Sequence, residues 1–306
     1  MGIRYAVTST PALTLKESVD LVHALVASEA SRVGVRVLFV KGPAARAQAL
    51  RAPDGVSNDV DVWIEPGGVD ALLAALEVDG WERTYDGPAV DAHSITLWNP
   101  RWACEVDAHH HFPGFFLEAG RLFEELWSGH EVIEIAHQPV TTPRADKHAL
   151  VLALHALRAT GRQPANAELE RLTEACRKVL TAGMRDRMGR TAYELGAADT
   201  ASQFIDLLGV TAVGRRTTSA ADMAAWALIT GEGDRTSVAW LTAVGSARPR
   251  ELPGLVWHAL WLTREEIAAT QKGTVSDEFV REYRWKRLKR GVRALPRAVR
   301  TLRGDR

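Results

Sequence analysis

The sequence predicts an α+β protein, in which an N-terminal mixed sheet with helices is followed by a C-terminal helical domain. Up to residue 142, short β-rich apolar runs alternate with helical patterns. Beyond residue 142, the apolar residues recur at helical spacing alone. We therefore expect an α/β domain over 1–142, a helical domain over 143–280 and a basic C-terminal helix or tail over 281–306.

Composition narrows the class of protein. The 306 residues, 46% of them hydrophobic, can fill one large or two ordinary cores. No run of about twenty apolar residues occurs, so no transmembrane segment is expected, and the N-terminus lacks the apolar core of a signal peptide. Only two cysteines are present, which argues against a disulfide framework and predicts a cytoplasmic protein. The sequence has neither the Gly-x-Ser-x-Gly of a hydrolase nor a P-loop.

The elements follow from the patterns in chain order. Apolar residues at helical spacing predict a helix over 15–31, and a β-rich apolar run predicts a strand ending at Val40. The other elements expected in the first domain are helices over 44–51 and 69–76 and strands over 57–64, 82–85, 93–98, 102–109 and 132–135. Those expected in the second are helices over 144–160, 168–180, 184–195, 201–208, 220–229, 237–244 and 253–270. Because these helices show no fixed repeat period, a compact bundle is expected.

One predicted strand carries two carboxylates on the same face. Alternation along the strand turns Asp59 and Asp61 to one face and Val60, Val62 and Ile64 to the core. Two adjacent carboxylates repel unless a cation lies between them or one is protonated, so the pair is suited to a divalent metal. An isolated pair of this kind is also typical of a solvated strand face, so the interpretation depends on further residues.

The strand that ends at Val40 is followed by the turn Lys41-Gly42-Pro43 and a predicted helix. Backbone N–H groups and the helix dipole favour a phosphate-sized anion at such a turn. Pro43 removes one of these N–H groups. The turn is therefore a candidate phosphate site with one donor fewer than usual.

A later strand offers further polar side chains. Glu105, Asp107 and His109 share one face of the strand predicted over 102–109. The side chains of three consecutive histidines, 109–111, diverge along a strand, so at most one of them is expected to act as a ligand or substrate contact. His93 can reach the same site from the neighbouring strand. An ordinary core or surface position is the alternative for each histidine.

In this order and spacing, the segment from about Val37 to His109 resembles the uncharacterised bacterial nucleotidyltransferase-like family of the polymerase-β-type nucleotidyltransferase superfamily, with a Lys-Gly turn in place of the usual Gly-Ser. The matching pieces are Lys41-Gly42, Ser57-x-Asp59-x-Asp61, His93 and Val106-Asp107-x-His109. The resemblance covers about a quarter of the chain. It implies a catalytic mixed sheet and a helical region that shapes the acceptor side.

The resemblance also implies an activity. A nucleotidyltransferase moves NMP from an NTP such as ATP to an acceptor on a small molecule, an RNA or a protein, with Mg²⁺ or alternatively Mn²⁺ as cofactor. The implied catalytic and metal-binding residues are Asp59, Asp61 and Asp107. The implied nucleotide-binding residues are Lys41, Gly42, Ser57 and His109. Glu105 competes with Asp107 for the third acid, and the resemblance favours Asp107 because it directly precedes x-His.

One position departs from the family pattern. The family often has an arginine two residues before the serine, where this chain has Gly55. Either another residue supplies that contact or the activity has drifted. Together with Pro43, Gly55 supports the alternative of a non-catalytic module of the same fold that binds a nucleotide or a partner.

The charge is unevenly distributed, although the formal net charge is zero. Residues 281–306 contain eleven Lys and Arg against two acids, a net charge of +9, so residues 1–280 carry −9. Such a segment fits nucleic acid, an anionic membrane surface or an acidic protein as partner. The alternative is that its cations solvate one side of a terminal helix and pair with acids of the main body.

Overall fold

The computed structural model describes residues 13–84, 94–158, 164–210, 218–230, 250, 253–254, 257, 261–270 and 275–289. The chain divides into two compact units. The first consists of Met1–Arg83, Ser94–His111 and Ala119–His148. The second consists of Thr84–His93, Phe112–Glu118 and Ala149–Arg306. The architecture is α+β, with a mixed sheet in the first unit and a helical C-terminal region in the second.

A five-stranded mixed sheet forms the centre of the first unit. Its strands are β1 (Val37–Val40), β2 (Asp59–Ile64), β3 (Glu82–Arg83), β4 (Ser94–Trp98) and β5 (Glu105–His109). They lie in the order β1-β2-β5-β4-β3. Neighbouring strands are antiparallel except β2 and β5, which are parallel. The parallel pair places side by side two acidic segments that are far apart in sequence.

One face of this sheet packs into a hydrophobic core with helices. Val60, Val62 and Ile64 of β2 share this core with apolar residues of α1 (Leu15–Arg32) and α3 (Val69–Val78). The short helix α2 (Gly42–Ala47) follows β1 and has Pro43 in its first turn, where the missing N–H has no intrahelical partner to lose. Because strand side chains alternate, the acids of β2 and β5 lie on the face opposite this core.

The remainder of the first unit contains an element that the sequence pattern did not predict. Helix α4 (Ala119–Trp127) precedes a β-hairpin of β6 (Glu131–Ile135) and β7 (Gln138–Thr142). The hairpin turn uses Ala136 and His137, both at positive φ, without the usual Asn-Gly signature. Pro139 further weakens the strand pattern of β7. Ile135 and Val140 nevertheless join the core of the main sheet.

The C-terminal region is helical where it is described. Its helices are α5 (Ala145–Leu157), α6 (Pro164–Val179), α7 (Ala182–Glu194), α8 (Ser202–Leu208), α9 (Ala220–Thr230) and α10 (Arg264–Thr270), and residues 277–289 are also helical. Gly114 packs tightly in the second unit, since a Cβ there would lie 2.9 Å from Leu154 and 2.8 Å from Trp226. Among the described residues, none of the helices combines the length and apolar character needed to cross a membrane.

One predicted helix is interrupted, and other predictions lie outside the described residues. Residues 261–263 are not helical, so the single helix expected over 253–270 is wrong at this point. Thr263 and Glu266 form a capping box that starts α10, with Glu266 N–H donating to Thr263 Oγ1 at 3.2 Å. The helix expected over 237–244 and the histidine at 93 belong to the part of the chain that is not described.

A buried histidine makes stability depend on pH. His23 on α1 is fully buried beside Phe39, its Nδ1 donates to the Val19 carbonyl at 2.7 Å, and burial lowers its pKa from 6.5 to about 4. Below pH 6.5 the unfolded chain therefore binds a proton at His23, whereas in the folded chain His23 stays neutral down to about pH 4. The contribution of His23 to the free energy of unfolding is therefore complete above pH 6.5. We expect it to fall towards pH 4 by at most about 1.4 kcal/mol per pH unit.

The measurement is urea unfolding of wild type and His23→Leu at several pH values between 7 and 5, above the range in which most carboxylates titrate. The pH slope should be smaller in the variant. His137→Leu, at a side chain that is 97% exposed, is the matched control and should keep the wild-type slope. Equal slopes in wild type and His23→Leu would contradict the assignment of a neutral buried His23.

Candidate active site

The pairing of β2 with β5 aligns the acids of both strands. The parallel register places Asp59 beside Glu105 and Asp61 beside Asp107. On the other side of β5, the antiparallel register places Thr96 of β4 beside Asp107. Residues paired in this way point to the same face, so these side chains form one polar surface opposite the core.

Asp61 is the centre of this surface. Its Oδ1 accepts a hydrogen bond from Lys41 Nζ at 2.5 Å and one from His109 Nε2 at 2.9 Å. All three side chains are buried, with exposed fractions of 2% for Asp61, 7% for Lys41 and 2% for His109. Burial alone would raise the pKa of Asp61, but the Lys41 ammonium and the hydrogen bond from His109 hold it well below its usual range. Asp61 is therefore an anion at neutral pH.

Lys41 reaches Asp61 from an unusual backbone conformation. Its φ of 62° and ψ of −154° lie in a region that glycine favours, and such strain costs about 1–3 kcal/mol for a residue with a side chain. Three contacts of Lys41 hold this conformation. Its N–H donates to His148 Nε2 at 2.9 Å, its carbonyl accepts from Ala45 N–H at 2.8 Å, and its ammonium forms an ion pair with Asp61. The strained turn is thus fixed at both its backbone and its side chain.

Gly42, Ser57 and Asp59 lie next to each other beside the same turn. A Cβ on Gly42, whose φ is 37°, would lie 3.2 Å from Ser57 Oγ. Ser57 Oγ donates to Asp59 Oδ1 at 3.2 Å. Burial raises the pKa of Asp59, and the neighbouring charge of Asp61 raises it further. A nearby cation would relieve this repulsion.

Asp107 has a partner that the sequence pattern missed. Thr96 Oγ1 donates to Asp107 Oδ1 at 2.6 Å and so orients the carboxylate. Thr96 lies in a predicted strand, so alternation along the strand can indicate which face its side chain occupies. That it meets Asp107 depends on the register between β4 and β5, which no local pattern gives. His148, which holds Lys41, lies on the predicted helix over 144–160, where an ordinary helix-face role is the simpler prediction from sequence, and no local pattern marks Gln48, which holds His148.

The residues present can hold a divalent metal. Among the described residues, Asp61, Asp107 and His109 each offer one ligand atom, and these atoms lie within 4.8 Å of one another. Carboxylate oxygens suit Mg²⁺ and Mn²⁺, and an imidazole nitrogen in the set is better tolerated by Mn²⁺. Asp59 lies on the same face, one residue pair along β2, and is not part of this close group. The donor set and the raised pKa of Asp59 both fit a cation at this surface.

The remaining residues singled out in the sequence lie around this centre. Glu105 pairs with Asp59 across the strands and is partly buried. His110 and His111 follow β5 and are also partly buried. At the position where the family often has arginine, the Gly55 carbonyl accepts a hydrogen bond from Arg46 Nη1 at 2.7 Å. A guanidinium therefore lies beside residue 55, although it comes from α2.

Comparison with known protein families identifies the family to which this chain belongs. The model of the family described as uncharacterised nucleotidyltransferase matches residues 16–178, which is 163 of the 306 residues. The chain belongs to this nucleotidyltransferase family. The match includes every site residue described above and extends through α5 into α6.

Two solved structures are similar to part of this nucleotidyltransferase family member. An antigenic nucleotidyltransferase-like protein from Paracoccidioides brasiliensis is 11% identical, with 61% of this chain and 92% of that chain covered and a TM-score of 0.37. The antibiotic-resistance factor ANT(2'')-Ia is 14% identical, with 62% of this chain and 98% of that chain covered and a TM-score of 0.39. No curated protein matches the chain. The assignment to the family rests on the family model.

Removing the ammonium from the buried ion pair should be costly. In Lys41→Met the carboxylate of Asp61 loses its nearest cation, and breaking a buried pair in this way costs about 3–5 kcal/mol of unfolding free energy. In the double variant Lys41→Met/Asp61→Asn we expect part of this loss to be recovered, because no unpaired buried charge is left.

Chemical denaturation of wild type, both single variants and the double variant gives this coupling as a double-mutant cycle. Lys16→Met is the matched control, since Lys16 pairs with Asp20 at 3.0 Å on the exposed surface of α1 and should contribute less than about 0.5 kcal/mol. Additive effects of Lys41→Met and Asp61→Asn would show that the two groups are not coupled.

Proposed function

We propose that the protein is a Mg²⁺-dependent nucleotidyltransferase that moves NMP from an NTP to an acceptor hydroxyl or phosphate. The observation that carries the proposal is the close group of Asp61, Asp107 and His109, with Asp59 beside it on the same face. Membership of the nucleotidyltransferase family supports the same reaction class. Because the donor is an NTP, we place the reaction in the cytoplasm, as the cysteine content predicts.

Asp59, Asp61 and Asp107 would hold the divalent metal, and His109 offers a further ligand nitrogen. When bound, the metal supplies charge neutralisation at the triphosphate and activation of the attacking oxygen. Mn²⁺ is the alternative ion because of His109.

The chain's own residues then orient the reacting groups. In the transfer, a bond forms between the acceptor oxygen and the α-phosphorus, and the bond from this phosphorus to the pyrophosphate oxygen breaks. Asp107, oriented by Thr96, is the residue proposed to take the acceptor proton. Before a metal binds, His109 holds the carboxylate of Asp61 in place through the hydrogen bond from Nε2 to Oδ1, and Nε2 would have to release this proton to act as a ligand. Pyrophosphate leaves with the electron pair of the broken bond.

Phosphate binding is assigned to the Lys41–Gly42 turn and its surroundings. The Lys41 ammonium can bind a triphosphate oxygen as a point charge. The absence of a side chain at Gly42 lets Ser57 lie close to the backbone of the turn, where its hydroxyl can donate a hydrogen bond to a phosphate. We propose that Arg46, beside the Gly55 carbonyl, supplies the guanidinium that the family often carries at residue 55. Pro43 removes one backbone donor from the turn, so side-chain cations are expected to matter more here.

Nucleotide binding should depend on the acids and on the metal. Isothermal titration with each NTP, first with Mg²⁺ and then with the metal chelated, should give metal-dependent binding of at least one NTP. Asp59→Asn and Asp61→Asn should each abolish transfer, measured as pyrophosphate release and as label retained from α-³²P-NTP but not from γ-³²P-NTP. The physical reason is that each amide removes one negative ligand from the metal.

The matched control is Asp186→Asn, which changes an exposed acid of α7 in the same way and should leave binding and transfer unchanged. Circular dichroism of each variant establishes that it is folded. Retained transfer in both Asp59→Asn and Asp61→Asn would overturn the assignment.

A non-catalytic nucleotide-binding module is the second candidate, and one observation favours it. Lys41 lies 2.5 Å from Asp61, so the chain itself already provides a cation for the central acid. In such a module the turn would bind the triphosphate without a metal, and Gly55 and Pro43 would mark the loss of catalysis. NTP binding that persists when the metal is chelated, without pyrophosphate release, supports this candidate over the enzyme.

We also propose that the basic C-terminal segment binds single-stranded nucleic acid. In helix 277–289, Trp285 is 58% exposed with Lys289 Nζ 5.8 Å from its ring centre, and Arg284 lies 5.0 Å from the ring of Trp261, which is 44% exposed. Exposed rings beside cations suit base stacking together with phosphate contacts. Val280 is packed in a small core with Leu262 and Ile267, so this part of the helix is held against its neighbours while the ring of Trp285 stays exposed.

Binding of a labelled single-stranded RNA of about twenty nucleotides should therefore fall steeply with added salt, because phosphate contacts release counterions. Trp285→Ala should weaken it by about tenfold through lost stacking, and Lys289→Ala should reduce the salt slope. Lys178→Ala, an exposed lysine of α6, is the control. Affinity that does not change with salt, or binding to anionic vesicles but not to the RNA, would contradict the proposal.

A further inference from the structure

We propose that His148 is a positioning residue, which holds the Lys41–Gly42 turn in its active conformation by accepting a hydrogen bond from the Lys41 backbone N–H. The two residues are 107 positions apart, and Lys41 N lies 2.9 Å from His148 Nε2. Both are buried in the first unit. The nucleotide-binding consequence of this inference rests on the function proposed above, whereas the hydrogen bond itself does not.

The neighbours of His148 select the tautomer that this role requires. Nε2 must carry a lone pair to accept from Lys41, so the proton must be on Nδ1. Nδ1 donates to Gln48 Oε1 at 2.6 Å. Gln48 cannot reverse its amide without loss, because its Nε2 donates to Glu131 Oε2 at 2.8 Å and to the Pro143 carbonyl at 2.8 Å. The chain from Glu131 through Gln48 to His148 therefore fixes which imidazole nitrogen faces the turn.

The environment also keeps the ring neutral. Burial lowers the pKa of His148 to about 3, and the charge of Arg51 lowers it as well, while Asp61 acts weakly in the opposite direction. A protonated ring would present an N–H to the N–H of Lys41 and lose the contact. His148 thus remains a hydrogen-bond acceptor at neutral pH.

The hydrogen bond acts on the site through Lys41. The conformation at φ 62° and ψ −154° is unfavourable for a lysine, so contacts must hold it. The ion pair with Asp61 holds the far end of the side chain, but this contact is the one that a triphosphate would compete with. The bond to His148 is made by the backbone and is independent of where the ammonium lies. His148 would therefore keep the turn in place when the Lys41 ammonium leaves the carboxylate of Asp61 and binds a phosphate oxygen.

A purely structural histidine in the core is the competing explanation, and paired substitutions separate the two. His148→Gln can place its Oε1 near the position of Nε2 and keep the acceptor. His148→Asn is too short to do so and keeps only a group near Nδ1. Val151→Ala removes apolar volume from a fully buried position one turn further along α5 and touches neither the turn nor the acids through a polar bond.

Isothermal titration with Mg²⁺ and the NTP that the wild type binds measures the effect, at a temperature where thermal unfolding shows every variant to be folded. We expect His148→Asn to weaken binding by about tenfold, as for one lost hydrogen bond, and His148→Gln to stay within about threefold of wild type. Val151→Ala should lower the melting temperature and leave the dissociation constant unchanged. Wild-type affinity in folded His148→Asn, or an equal loss in the Gln and Asn variants, would overturn the positioning role.

A second readout does not depend on nucleotide binding. In ¹⁵N-labelled protein, a scalar coupling across the N–H···N bond should connect the Lys41 amide with His148 Nε2, and the ring should show its proton on Nδ1. The coupling should be lost in His148→Asn. If the wild type binds no NTP, the proposed function fails, but this measurement still shows whether the hydrogen bond between Lys41 and His148 exists. A ring protonated on Nε2 would refute the hydrogen bond and with it the positioning role.

Discussion

The ion pair between Lys41 and Asp61 is the interaction on which the site depends. It joins the turn after β1 to the central acid of β2, and both charges are almost completely removed from water. Two buried charges are tolerable only when their geometry is fixed, because desolvation costs each of them several kcal/mol. The antiparallel register that places Val40 opposite Asp61 brings the following residue, Lys41, within reach of this carboxylate.

The parallel pairing of β2 with β5 provides the second constraint. A parallel register without offset repeats the alternation of one strand on the next, so acids at every second position of each strand meet in rows. The result is a set of carboxylates whose mutual repulsion is balanced from several directions: by Lys41 and His109 at Asp61, by Ser57 at Asp59 and by Thr96 at Asp107. The fold thus concentrates negative charge where a cation and a triphosphate are proposed to bind.

The sequence predicted most elements around the site because their signals are local. The alternation of Asp59 and Asp61 with valines defines β2 and its two faces, and the apolar spacing of α1 defines its buried side. The elements that it missed lack such signals. β7 follows a turn of Ala136 and His137 and contains Pro139, so neither turn chemistry nor strand propensity marks it. The break at residues 261–263 depends on a capping box that was hidden within a longer helical pattern.

The sequence by itself determined which residue types are available and which face of each strand they occupy, because side-chain alternation is a property of the local backbone. Only the tertiary structure decided which of these residues meet. His109 reaches Asp61 across 48 positions and His148 reaches Lys41 across 107, and no local pattern specifies such contacts. The physical reason is that strand order, register and the packing of α5 follow from burial of the whole core, to which every distant segment contributes at once.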